Sequence, residues 1–196
     1  MGLYIYMTAV SSKTIDAAFG SHDKALLDKC ASDGECFDDA LKALSHIINA
    51  QDKTLETHHY GYALIELCFK LGQQLPYTQD IKLGFETDWI NRVLDDEFCV
   101  SEPIEVLLLP YPDNHGFDIP AMEEFPIIGK LDQTWLQELQ RLLSDISIDQ
   151  AHISALQHSD NQDQAEQGYA LAHIKGIIEN INFCVANGLD LMVFCH

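Results

Sequence analysis

Hydrophobic residues recur at helical spacing along most of this chain and crowd together at two places, 3–10 and 189–195, broken there only by Thr8 and Asp190. The widest helical stripe lies in Asp52–Leu75, DKTLETHHYGYALIELCFKLGQQL. There Tyr60, Leu64, Leu67, Cys68 and Leu71 fall at i, i+4, i+7, i+8 and i+11, one face of a helix, and Leu55 and Ala63 widen it. Asp52 is a candidate cap for the first turn, Gly72 is placed to end the helix, and Pro76 keeps it from resuming. A stripe this wide predicts a core helix with neighbours on more than one side.

The same reading continues on both sides of that helix. Leu3–Val10 is rich in β-formers and apolar on both alternating faces, the pattern of a strand covered on both sides. Thr14–Phe19 reads as a helical turn ended by Gly20, and Ser21 as the cap of a helix reaching Ala31. Ser32 and Glu35 match a capping box before a helix carrying Phe37, Ala40, Leu41, Leu44, Ile47 and Ile48. Phe85–Glu97 predicts a helix with Trp89, Ile90, Val93 and Leu94 inward and Glu86, Asp88, Asp95, Asp96 and Glu97 opposite.

Cys99–Gly129 holds five of the six prolines and reads as one long irregular region, with Ile104–Leu109 as a short strand. Leu131–Leu143 follows as a helix capped by Asp132. Asp145–Gln164 is polar, with a short helix around Ala151–Leu156. The final helix spans Asp163–Ala186, with Tyr169, His173, Ile177, Ile181 and Cys184 as its stripe, and Asn187-Gly188 stops it. Leu189–Cys195 is a closing apolar strand. Two exposed apolar strands would invite aggregation, so the two are expected to pair. The expectation is a helix-rich α+β fold with a small sheet joining its N-terminal and C-terminal strands, in one globular domain over residues 1–196.

Charge alters what this fold is expected to do. The chain carries 31 acidic against 11 basic residues, a formal net charge of −20, well beyond what solubility needs. Direct binding of nucleic acid is disfavoured, because phosphate contacts need clustered Lys and Arg. A basic protein partner is favoured instead. The six cysteines include no C-x-x-C pair and mostly sit in apolar patterns, the usage of a reduced, cytoplasmic protein. No apolar run reaches membrane-spanning length, so no membrane partner is expected.

Candidate chemistry is sparse. His58, His59, Tyr60 and Tyr62 form the densest group, yet adjacent helical residues point about 100° apart, so His58 and His59 are not expected to share one ion. No metal site, cofactor or catalytic residue is assigned. Nucleophile elbows, phosphate-binding loops and dinucleotide fingerprints are all missing from the sequence. Cys68 lies on the apolar stripe, where a thiol stays protonated.

Five stretches together carry a family resemblance: the opening MGLYIYMTAV, then AFGSHDKALLDKC, HHYGYALIELCFKLG, FPIIGKL before a helix, and the closing helix, Asn-Gly and strand. The chain resembles a group of bacterial proteins of unknown function, YfbM-like in outline, and some similar families include immunity proteins encoded beside polymorphic toxins. The resemblance implies a small cytosolic bacterial protein and carries over no catalytic residues. Together with the charge, it favours an immunity protein that binds and neutralises a bacterial toxin with a basic surface. Two alternatives are a small-ligand binder or enzyme using the His58/His59/Tyr62 cluster, and a nucleic-acid mimic that occupies basic clefts. The expected partner site is the acidic run bracketing the proline-rich region: Asp95, Asp96, Glu97, Asp113, Asp118, Glu123 and Glu124, with Tyr111, His115 and Phe117 as exposed anchors. The acidic segment Asp145–Asp163 is its competitor.

Overall fold

The computed structural model describes residues 2–32, 38–110, 115–122 and 125–196. Both strongly apolar runs are strands, and they pair with each other. β1 (Tyr4–Val10) lies antiparallel to β4 (Asp190–Cys195), with Ile5 opposite Cys195 and Val10 opposite Asp190. β4 also pairs with β3 (Ile127–Leu131), and the two-residue β2 (Ile81–Lys82) adds to the far side of β1. The order across the sheet is therefore β2-β1-β4-β3.

Helices cover both faces of this sheet, because side chains alternate along every strand. On one face Ile5, Ala9, Leu131, Leu191, Val193 and Cys195 join an apolar cluster with the helices α5 (Phe85–Phe98), α6 (Ile104–Leu108), α7 (Gln133–Leu142), α8 (Gln150–Gln157) and α9 (Gln162–Asn187). On the other, Val10, Ile128, Met192 and Phe194 join α1 (Ser12–Ala18), α2 (Lys24–Ser32), α3 (Asp38–Ile48) and α4 (Thr57–Leu71). The result is a helix-rich α+β fold. With both faces buried, the strands have no room for a polar alternation, which is why they read as strongly apolar runs.

α4 is the expected core helix. Tyr60, Ala63, Leu64, Leu67 and Cys68 are all fully buried. It starts later than its sequence implies: Glu56, not Asp52, holds the N-cap position. Gly72 ends it for a reason of space. A Cβ there would stand 2.7 Å from Thr8 Oγ1 and 2.8 Å from the Ala9 carbonyl oxygen, so only glycine lets the chain cross β1 this closely. Gln73 then donates its backbone N–H to the Ala9 carbonyl at 2.8 Å.

Several expectations need correction. Ile104–Leu109 is not a strand but the helix α6, whose buried Ile104, Leu107 and Leu108 follow the i, i+3, i+4 pattern. Asn91 of α5 organises its start, accepting from Ile104 N at 2.7 Å and donating to Glu105 at 2.9 Å. The end of the supposed irregular region is the edge strand β3. Its Gly129 is pressed by α6, since a Cβ would meet Leu109 Cδ2 at 2.7 Å. Asp23, rather than Ser21, caps α2, accepting from Leu26 N at 3.0 Å. Tyr169 is half-exposed rather than inward. α8 packs on the neighbouring Gly168, where a Cβ would lie 2.8 Å from Gln157 N, and the next residue is thereby turned to solvent. The capping box over Ser32–Glu35 and the position of Phe37 fall outside the described residues, Ser32 excepted.

Candidate functional site

Asp95, Asp96 and Glu97 occupy the exposed last turns of α5. α9 starts beside them. Asn161 caps it by accepting from the backbone N–H groups of Asp163 and Gln164, and Gln167 Nε2 donates to Glu97 Oε1 at 2.5 Å. A groove of about 290 Å³ opens between the two helices, lined by Trp89, Asp96, Glu97, Asp163 and Gln164 among others. Trp89 is half-buried in it, with the Arg92 guanidinium 5.1 Å from its ring centroid and 3.5 Å from Asp96. The acidic run at Asp95 and the segment ending at Asp163 are rivals in sequence. In space, Asp96, Glu97 and Asp163 share one groove.

The other expected site residues lie elsewhere. Phe117 and His115 are buried, not exposed anchors. Phe117 stacks between Phe19, at 6.2 Å, and His115, at 6.1 Å, with Lys130 Nζ 5.1 Å from its ring centroid. Gly116, at φ +77, takes the left-handed conformation between the two buried residues. Phe117 belongs to the cluster on the α4 side of the sheet, whereas α5 packs on the opposite side, so the two cannot form one patch. Asp118 is exposed and pairs with Lys53 at 2.7 Å. Tyr111, Asp113, Glu123 and Glu124 lie outside the described residues.

A second polar constellation was not anticipated. The Tyr77 hydroxyl donates to Gln79 Oε1 at 3.1 Å and shares a hydrogen bond of 2.7 Å with His173 Nδ1. His173 Nε2 faces Glu86 Oε2 at 3.6 Å, and that oxygen accepts Lys82 N at 2.6 Å. Buried Asn180 grips the Tyr77 backbone twice, accepting from its N–H at 3.0 Å and donating to its carbonyl at 2.9 Å. The ring rests on Gly176, where a Cβ would come within 2.2 Å of it. Thus three positions on one face of α9, 173, 176 and 180, form a socket for Tyr77. Burial, with Glu86 and Glu179 adding, holds the hydroxyl well above the ordinary tyrosine range. Burial also lowers the pKa of His173, with Glu86 opposing. Both groups are therefore neutral near pH 7, and the pair positions rather than ionises. A histidine, a glycine and an asparagine on an otherwise apolar helical stripe were the signal in sequence.

Beside Tyr77 a cavity of about 390 Å³ opens between the end of α4, the crossing segment 73–80 and β1. Tyr6 and Phe69 line it with Tyr77, and Gln73, Gln79 and Asp80 supply polar groups.

A family model described as a domain of unknown function (DUF7691) matches residues 1–196. The chain belongs to that family. No curated protein and no solved structure matches the chain.

Within this DUF7691 chain, the histidine pair at the start of α4 departs from expectation. The His58 and His59 rings lie 3.9 Å apart between centroids, and with Glu56 they offer ligand atoms within 4.8 Å of one another. The two rings do not point apart, and Glu56 at the N-cap position lies 3.6 Å from His58 Nδ1. The N–H groups of the same helical turn oppose a cation there. Tyr62 sits edge-on to His196, with ring centroids 5.5 Å apart. Burial pushes the Cys68 thiol up, and pushes Cys184 up to about 12 with Asp190 adding, so neither is a ready nucleophile. Among the described residues, no helix is long and apolar enough to cross a membrane.

Proposed function

We propose that this protein binds a basic protein partner through the α5–α9 groove and neutralises it by occlusion, in the manner of a cytoplasmic immunity protein paired with a bacterial toxin. The YfbM-like resemblance belongs to the same reading. The observation that carries it is the convergence of Asp96, Glu97 and Asp163 around the half-buried Trp89. An aromatic in a pocket, rimmed by one sign of charge, supplies an anchor together with electrostatic steering. Arg92 also lines the groove and pairs with Asp96 at 3.5 Å, so the uncompensated charges of the rim are Glu97 and Asp163.

The test begins with recovery of the partner from the native host, followed by measured association and dissociation rates. Asp96→Asn, Glu97→Gln and Asp163→Asn together are expected to slow association several-fold at low salt and little at high salt. Trp89→Ala is expected to speed dissociation, at about 2 kcal/mol if it is the anchor. A partner whose rates ignore all four changes refutes the groove assignment. Displacement of the partner by duplex DNA would favour a nucleic-acid mimic over a toxin inhibitor.

A further inference from the structure

The cavity beside Tyr77 has no part in that reading and is larger than the groove, about 390 Å³ against about 290 Å³. Its volume of about 390 Å³ falls within the roughly 300–1,000 Å³ of small-molecule sites. Its lining contains no Lys or Arg. Three aromatic rings face it, and one of them, Phe69, is 45% exposed although it is large and apolar. A ring left open to solvent inside a concavity gains most from a ligand that covers it.

The remaining walls are rigid. Tyr77 cannot swing away, because Asn180 holds its backbone, His173 its hydroxyl and Gly176 its ring. Gly72 is wedged against β1. Such preorganisation reduces the ordering entropy lost when a ligand binds.

Charge selects the ligand class. Asp80 lies at the rim, and among the described residues no Lys or Arg pairs with it. His196, which stacks on Tyr6 at 4.8 Å, interacts electrostatically with Asp80. Burial lowers the pKa of that imidazole, with Asp80 opposing, so it is neutral near pH 7 and leaves the carboxylate uncompensated. Burial, and after it Glu86, also raises the Asp80 pKa, with His196 opposing, so an entering cation would relieve a disfavoured charge. Aromatic faces attract cations through their quadrupoles and a carboxylate completes the match. Anions are opposed by both.

We propose that this cavity is a binding site for a small organic cation, an amine or guanidinium carried on a compact apolar body. The ammonium group meets Asp80 and the faces of Tyr6 and Tyr77, the apolar body covers Phe69, and Gln73 and Gln79 offer hydrogen bonds at the rim.

The experiment compares three probes of similar shape, phenethylamine, 2-phenylethanol and phenylacetate, by calorimetry and by amide chemical-shift mapping of the intact chain at physiological salt. The amine is expected to bind at least tenfold more tightly than the alcohol, and the acid not at all. Its shifts are expected at Tyr6, Phe69, Gln73, Tyr77 and Asp80. Asp80→Asn is expected to lower amine affinity at least tenfold, while Asp95→Asn, on a distant helix, leaves it unchanged. Equal binding of amine and alcohol, or equal loss with Asp95→Asn, overturns the proposal. So do shifts scattered over the acidic surface, a reading that needs no variant and stands if Asp80→Asn fails to fold.

Discussion

At the scale of single residues, His173 is the most informative titratable group. It is 5% exposed, its pKa lies below the usual 6.5 chiefly through burial, and Tyr77 and Glu86 face it. A depressed histidine pKa contributes stability above its unfolded value, and that stability is lost as pH falls toward the folded value. Stability is therefore expected to fall on acidification below pH 6.5, with a slope of at most about 1.4 kcal/mol per pH unit from this one proton. Carboxylates titrate in the same range, so the comparison that decides is with His173→Gln, which should lose that part of the slope in urea melts from pH 7 to 5. Equal slopes would contradict it. Local rules made some residues legible in sequence. Asp132 caps α7 by accepting Trp135 N at 2.9 Å, and Gly188 ends α9 at φ +62, both as their types imply. Phe117 was misread because its polar neighbours imply exposure, while its ring stacks on that of Phe19, far away in the sequence. Tyr77 was missed for the same reason, since its partners lie on α9.

Elements were legible where pattern and length agreed. α3, α4, α5, α7 and α9 carry long stripes and lie where those stripes put them, with boundaries shifted by a few residues. Short apolar runs were ambiguous. A five-residue helix such as α6 and a buried strand share the same composition. β3 was hidden by Pro126 and Gly129, residues that argue against a central strand and are tolerated at an edge. The pairing of β1 with β4, read from the aggregation hazard of lone apolar strands, gives the strongest prediction at this scale. β4 supplies Leu191, Val193 and Cys195 to one core and Met192 and Phe194 to the other. Deleting Leu189–His196 is expected to abolish cooperative thermal unfolding. Phe194→Ala, a milder change at a fully buried ring, should cost about 3–5 kcal/mol. A truncated chain that melts as the full one does would refute the central role of this strand.

For the whole molecule, the net charge of −20 dominates. Self-repulsion of like charges destabilises the compact state and is screened by salt. The melting temperature is expected to rise by on the order of 3–5 °C between low salt and about 0.5 M NaCl. A flat or falling curve would mean that the acidic groups are compensated within the fold. Composition conveyed the sign of the surface but not its distribution. Only folding reveals that Asp96 and Asp163 meet across one groove while Asp118 lies with the opposite layer.

The sheet order β2-β1-β4-β3 also constrains how the protein is made. β1 ends at Val10, and its principal partner, β4, is not complete until Cys195. At about 5–20 residues per second, β1 waits roughly 10–35 s before that partner exists. Through that interval a seven-residue apolar strand has an unsatisfied edge, and α1–α4 can shelter only one of its faces. A holding chaperone is therefore expected to raise the soluble yield of the newly made chain, and equal yields with and without one would show that the waiting strand is protected in some other way.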